Sequence, residues 1–279
     1  MTMETGAQPM LNDAELSRVI AREAGARLLE LRESFGVIDP ADRDRADRLR
    51  KEGDREAQNL IAAALAEHRP DDAILSEEAE DDDRRLTAER VWIVDPLDGT
   101  WEFGQSREDF AVHVALWQPE NLILSACTVD LPAQGMTRSV LDEVSEPGAL
   151  PIDRPLRVVA SRTRPPASLA AAIEILSKRL ADSGVFGLGV EIVDVGSVGA
   201  KVNTILCGRA EAYVHDTGFY EWDVAAPFGV ARHYGYEASH VDGRAMTFNQ
   251  MPPYVTDLVV SHPIIAADLR ESLALAARS

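Results

Sequence analysis

Apolar spacing divides the chain into helical and extended stretches. From Asn12, the residues Leu16, Val19, Ile20, Ala24, Leu28 and Leu31 recur on one face of a 3.6-residue period. That spacing predicts a helix to about Ser34, stopped near Gly36, with Asn12 or Asp13 as its N-cap. Val37 to Glu52 alternates Asp and Arg with few apolar residues and reads as a mobile, charged surface loop, a solvated helix face being the alternative. A second helix is expected from Gly53-Asp54 to His68, burying Leu60, Ile61, Ala64 and Leu65, with Asp54 in its first turn as cap or dipole partner. Ala73–Leu75 and Val91–Val94 are too short for helices and are typical of buried strands. Asp109–Trp117 and Asn121–Val129, split by Gln118-Pro119-Glu120, read as a hairpin with Gln134–Val140 beside it. His113, within that hairpin, reads as a satisfied core or interface residue.

The second half alternates more regularly. Strands are expected at Leu156–Ala160, Val190–Val195, Ala210–Val214, Tyr236–Val241 and Thr256–Val260. Helices are expected at Pro166–Leu180, Ser197–Leu206, Glu221–Tyr234 and Pro263–Ala277. Such alternation argues an α/β layer whose strand ends bind ligands. Leu141 to Pro155 mixes acids, Gly148 and prolines, which sets the expected boundary between an α+β domain over 1–150 and an α/β domain over 151–279.

The length of 279 residues suits a sizeable core. Charge changes the picture: 47 acidic against 28 basic residues give a net −19. Binding to nucleic-acid polymers or anionic membranes needs a basic footprint that this balance lacks. A small anionic substrate would also be repelled unless cations screened it. Cys127 and Cys207 each lie in an apolar run and are expected as buried, reduced thiols, against a disulfide framework or zinc site and in favour of the cytoplasm. Met1 to Leu11 shows neither a basic n-region nor an apolar h-region, and no later run approaches membrane-spanning length, so a soluble protein is expected.

The chemistry concentrates at Val91-Trp-Ile-Val-Asp-Pro-Leu-Asp-Gly-Thr-Trp-Glu-Phe. The strand delivers Asp95 to its own end, Pro96 forces a turn, and Asp98 emerges three residues later. Gly99 and Thr100 allow close backbone approach and leave N–H groups free, especially if a short helix starts at Asp98. Paired carboxylates beside free N–H groups suit a divalent cation that also binds a phosphate. The plain alternative is a strand-to-helix turn in which Asp98 caps the helix. Ser76-Glu77-Glu78 closes another short strand, and like charges gathered there imply raised pKa values or a shared cation.

Asp95-Pro96-Leu97-Asp98-Gly99-Thr100, Ser76-Glu77-Glu78 upstream and Glu221-Trp222-Asp223-Val224-Ala225-Ala226 downstream resemble, in order, the signatures of the inositol monophosphatase superfamily of metal-dependent, lithium-sensitive phosphatases. Leu75-Ser76-Glu77-Glu78 and the Gly-Thr-x-Glu-Phe continuation resemble its 3′(2′),5′-bisphosphate nucleotidase (CysQ-type) branch, with Trp101 standing where a lysine is usual. The resemblance implies a layered αβαβα sandwich, with an antiparallel sheet in the N-terminal half and a mixed sheet in the C-terminal half. It implies two or three Mg²⁺ ions, one held by Glu77, Asp95 and the Leu97 carbonyl and another by Asp95, Asp98 and Asp223, roughly 4 Å apart as two-metal sites require. The 37–52 loop would then close over the site near a weaker third position. Thr100, oriented by Asp54, together with Glu77, would position and deprotonate the attacking water, while the Gly99 and Thr100 N–H groups hold the phosphate.

The implied reaction removes the 3′-phosphate of 3′-phosphoadenosine 5′-phosphate by metal-activated water, as in sulfate assimilation, in a cytoplasmic enzyme that is usually a homodimer. Inositol monophosphatase or fructose-1,6-bisphosphatase activity on the same site is the alternative, and an inactive metal- or nucleotide-binding module is the reading of another class. Further substrate contacts are expected at Ser161-Arg162 after a strand end, at Gly196-Ser197 opening a helix, and at Lys201 one turn in. Each has an ordinary solvated or capping alternative. Tyr220 is either a base-stacking residue or a hydrophobic staple, and Asp223 either a ligand or a helix-dipole partner.

Overall fold

The computed structural model describes residues 11–278 apart from Pro40, Ser145 and Thr163; residues 1–10, where no targeting segment was expected, lie outside it. Helix α1 (Asp13–Phe35) opens on a reciprocal cap in which Asn12 and Glu15 each accept the other's backbone N–H at 2.9 Å, and it ends at Gly36 with φ 64°. Helix α2 runs from Arg43 to His68, capped by the Asp42 side chain. The expected loop over 37–52 is therefore largely helix. Ala46, Leu49, Gly53 and Ala57 form its buried stripe, too sparse among Asp and Arg to stand out by composition. Gly53 and Asp54 consequently lie mid-helix, and Asp54 is no cap.

Strands β1 (Ala73–Ser76), β2 (Val91–Asp98), β3 (Ala111–Gln118), β4 (Ile123–Leu131) and β5 (Met136–Ser139) form a five-stranded sheet in that order. β1 pairs parallel to β2 and the rest are antiparallel, so this sheet is mixed and not purely antiparallel as expected. β2 also continues past Pro96, its ladder with β3 shifting between Asp95 and Asp98, as a bulge allows. The short helix α3 (Thr100–Gly104) follows, with Gly99 at its N-cap.

Beyond the 141–155 connection come β6 (Leu156–Ser161), α4 (Leu169–Asp182), β7 (Val190–Val195), α5 (Val198–Leu206), β8 (Ala212–His215), β9 (Phe219–Tyr220), α6 (Glu221–His233), β10 (Glu237–Ser239), β11 (Tyr254–Val255), β12 (Leu258–Ser261) and α7 (Ala266–Ala276). The second sheet has the order β10-β12-β8-β6-β7, with β7, β6 and β8 parallel and β12 and β10 antiparallel. The β9–β11 pair was not legible from the sequence.

Side-chain alternation assembles the layers. On β2, Trp92 and Val94 pack with Leu28, Leu49 and Ile61 of α1 and α2, whereas Val91 and Ile93 pack with Val202, Ala225 and Val230 of α5 and α6. The second sheet meets α5 and α6 through Tyr213 and Val260, and α4 and α7 through Val158, Leu176 and Leu269. The result is an αβαβα sandwich, with both faces of each sheet covered. Cys127 is buried as expected, but Cys207 is exposed at the C-cap of α5, where the helix runs out to the surface.

Candidate active site

Strand ends from both sheets open onto one cavity of about 290 Å³. Parallel pairing sets Ser76 opposite Val94, so Glu77 leaves β1 at the level of Asp95. In the second sheet, Ser161 lies opposite Val195, bringing Ser161 and Gly196 to one edge. The cavity wall takes Glu77, Asp95, Leu97, Asp98, Gly99 and Thr100 from the first half. From the second half it takes Ser161, Arg162, Gly196, Ser197, Lys201 and Asp223.

Oxygens of Asp95, Asp98 and Asp223 lie within 4.8 Å of one another. One oxygen of each is held by a backbone N–H: Asp95 by Leu97 at 3.0 Å, Asp98 by Gly199 at 2.8 Å and Asp223 by Tyr220 at 2.8 Å. The last bond is a helix cap, so Asp223 complements α6 as well as facing the cavity. Asp95 Oδ2 is buried with no hydrogen-bond partner, an arrangement that is unfavourable for a carboxylate oxygen unless a cation meets it.

The protonation pattern agrees. Burial, and then the charges of Glu77, Asp98 and Asp223, hold Asp95 well above the usual carboxylate range. Burial and then Asp223, Glu78, Asp54 and Asp98 push Glu77 up to about 8. Burial and then Asp98 raise Asp223 to about 6. Asp98 goes the other way: burial raises it, but His113, the Gly199 N–H and Lys201 together bring it below its ordinary value. Carboxylates crowded until they retain protons are what a hard divalent cation relieves, and an all-oxygen donor set fits Mg²⁺ or a similar ion.

Gly99 adopts φ +88°, and a Cβ there would stand 3.0 Å from Ser197 Cβ and 3.2 Å from the Asp109 carbonyl. Glycine thus permits both the turn and the close approach of α5. Thr100 Oγ1 donates to the Leu97 carbonyl at 3.1 Å, so the expected orientation of Thr100 by Asp54 is replaced by a local bond. Asp54, half-buried on α2, instead faces Glu78 and Glu77, and burial followed by Glu78 raises it to about 7.

The expected anion contacts are altered by neighbours. Gly196 N–H donates to Asp109 Oδ2 at 3.0 Å, and Ser197 Oγ accepts from Ala200 N–H at 3.1 Å, capping α5. Arg162 pairs with Glu102 and Asp109 at 3.3 Å each. Lys201 is buried, not solvated; it donates to the Gly196 carbonyl and lies 5.4 Å over the Tyr213 ring. Tyr220 is half exposed and stacks on Trp222 at 4.6 Å, and it is not part of the cavity wall. Trp101 stands 52% exposed on that wall.

Arg164, Glu102, Tyr213 and His215 also line the cavity, and His113 touches Asp98 from beneath; none was selected from sequence. The β2–β3 pairing sets His113 opposite Asp95, but nothing in the sequence fixes the register between those two strands.

This fold and its acidic cleft define a class, and the chain belongs to the inositol monophosphatase family, whose sequence profile matches residues 13–276. It is a metal-dependent phosphoric monoester hydrolase acting on small phosphorylated substrates, as members of that family are. Within the family, it is 41% identical over 278 residues to the 3′-phosphoadenosine 5′-phosphate phosphatase of Mycobacterium leprae, covering 95% of this chain and 96% of the relative. The Mycobacterium tuberculosis protein of the same name is 40% identical over 261 residues, covering 90% of each. Among solved structures, CysQ from Bacteroides thetaiotaomicron superposes with TM-score 0.71 at 26% identity, covering 90% of this chain and 97% of that one. No helix among the described residues is long and apolar enough to cross a membrane.

Proposed function

We propose that this chain is a Mg²⁺-dependent phosphatase that removes the 3′-phosphate of 3′-phosphoadenosine 5′-phosphate, giving AMP and phosphate. The observation that carries this reading is the convergence of Asp95, Asp98 and Asp223 within 4.8 Å, on a cavity that is also lined by Arg162, Arg164 and Lys201. The named relatives supply the substrate.

Glu77, Asp95 and the Leu97 carbonyl would hold one ion, and Asp95, Asp98 and Asp223 another. When bound, such ions make water a stronger nucleophile and offset charge on the phosphoryl and leaving oxygens. The chain's own groups do the rest. Glu77, deprotonated once a cation meets it, would accept the proton of the attacking water. Thr100 orients that water with its hydroxyl, and Asp54 acts through Glu77 by charge. The N–H groups of Gly99 and Thr100, at the start of α3, face the phosphate oxygens. Lys201 and the Ser161-Arg162 and Gly196-Ser197 edges bind the remainder of the substrate. The water oxygen attacks phosphorus, the bond to the 3′ oxygen breaks, and the leaving ribose oxygen takes up a proton. The same reading carries two or three Mg²⁺ ions, a homodimer, a cytoplasmic location, and two domains, 1–150 and 151–279, meeting at the ions.

Phosphate release from the nucleotide bisphosphate, inositol 1-phosphate and fructose 1,6-bisphosphate, each with and without Mg²⁺ and Li⁺, tests the proposal. Turnover should be highest with the nucleotide, absent without Mg²⁺ and suppressed by Li⁺. Preference for inositol or sugar phosphate would reassign the substrate, and nucleotide binding without release would make the chain a silent module.

A further inference from the structure

His113 is fully buried on β3 between Val112 and Val114, an apolar setting in which an imidazole is unfavourable unless its nitrogens find partners. The polar atoms nearest both nitrogens belong to the cleft, although Nε2 makes no aligned hydrogen bond. Nε2 lies 3.2 Å from Asp98 Oδ2, the oxygen that also accepts the Gly199 N–H at 2.8 Å. Nδ1 lies 3.3 Å from the carbonyl of Trp222, the residue before Asp223. β3 also sets His113 directly opposite Asp95. One ring thus stands against both segments, β2 and α6, that supply the clustered carboxylates.

We propose that His113 is a positioning residue for the cation site: its Nε2 edge, packed 3.2 Å from Asp98 Oδ2 beside the Gly199 N–H that this oxygen accepts, restricts the carboxylate and so leaves Oδ1 to the ion. A carboxylate rotating freely about its last bond presents either oxygen, or both, at varying angles. One donor and one packed ring edge on the same oxygen restrict the rotation and select which lone pairs face the cavity, as neighbours of metal ligands commonly do. Packing enforces the arrangement, because a Cβ at Gly199 would come within 2.6 Å of His113 Nε2 and 2.8 Å of Ala111 Cβ. The α5 backbone is therefore pressed onto the ring and the carboxylate together. A purely structural role, by contrast, would rest on the Nδ1 contact to the Trp222 carbonyl, which ties β3 to α6.

The inference rests on the metal reading above, and its test separates the two. Mg²⁺ binding to substrate-free protein is measured by calorimetry for wild type, His113→Ala, His113→Gln and His113→Asn, with thermal melts alongside. Glutamine carries an N–H near the place of Nε2, and asparagine one near the place of Nδ1. The expected result is a loss of Mg²⁺ affinity of about 10-fold or more in the Ala and Asn variants, and near-wild-type affinity in Gln. If Ala does not fold, Gln and Asn decide between themselves. Equal affinity in Gln and Asn, or retention by Asn and loss in Gln, overturns the positioning role. Absence of Mg²⁺ binding by wild type overturns the metal reading itself, and this inference with it.

Discussion

Gly199 donates its backbone N–H to Asp98 Oδ2 over 2.8 Å, so an acid from the first sheet is held by a helix that packs between the two sheets. The contact exists because Gly199 has no side chain, and it makes the shape of the acidic cleft depend on how α5 docks.

Asp98→Asn tests the acid itself. The amide oxygen can still accept the Gly199 N–H, so the fold should persist by circular dichroism, while one negative charge leaves the cleft. Mg²⁺-dependent phosphate release should fall by more than about 100-fold, since a direct ligand should cost more than the roughly 10–100-fold typical of an outer-shell partner. Activity near wild type would remove Asp98 from the ligand set.

Gly199→Ala tests the docking. The new methyl meets His113 and Ala111 inside normal contact distance, and such overpacking costs about 1–3 kcal/mol. The urea midpoint should drop by the corresponding amount and the apparent Mg²⁺ affinity should weaken with it. An unchanged midpoint would mean that α5 is free to shift.

Lys201→Met removes a buried ammonium while keeping the stem that packs near Tyr213. Burial lowers the Lys201 pKa, and the carboxylates Asp98, Glu102 and Asp223 act to restore it. Loss of one charge-assisted contact of about 1.5–3 kcal/mol should raise KM for the anionic substrate roughly 10-fold or more, with kcat less affected. Steady-state kinetics showing an unchanged KM would leave Lys201 a structural cation.

Stability should depend on pH differently with and without metal. Asp223, Asp54 and Glu77 are raised to about 6, 7 and 8 by burial and then by neighbouring acids, against values of about 4 in the unfolded chain. The folded state then holds protons that the unfolded state releases. Its contribution from these groups is complete below about pH 4 and is lost as pH rises through 6 to 8. In EDTA the melting temperature should therefore decline from pH 5 to pH 8. Saturating Mg²⁺, which binds the deprotonated acids, should remove that decline. Parallel pH profiles with and without Mg²⁺ would contradict this.

The sequence was most legible where one face of an element is apolar. The α1 stripe, the hairpin and the alternating second half stand close to their expected bounds, and the acidic motifs mark the cleft. It was least legible where polar residues are held by distant partners. The first turns of α2 hide three buried positions, Ala46, Leu49 and Gly53, among charges. Lys201 is buried because the acids of the cleft surround it, and His113 because Asp98 and Trp222 meet it. The hairpin pattern places His113 in the core, where it lies, but neither its contact with Asp98 nor the burial of Lys201 could be known before the segments were brought together. The resemblance paired Asp54 with Thr100, whereas the Leu97 carbonyl takes that hydroxyl.

The most direct test of shared cations is a crystal of the wild-type protein grown with Mn²⁺ and measured at its absorption edge. Anomalous density should appear between Asp95, Asp98 and Asp223, with a second peak toward Glu77 and the Leu97 carbonyl. Mn²⁺-supported turnover from crystals that hold no such density between those carboxylates would contradict the account.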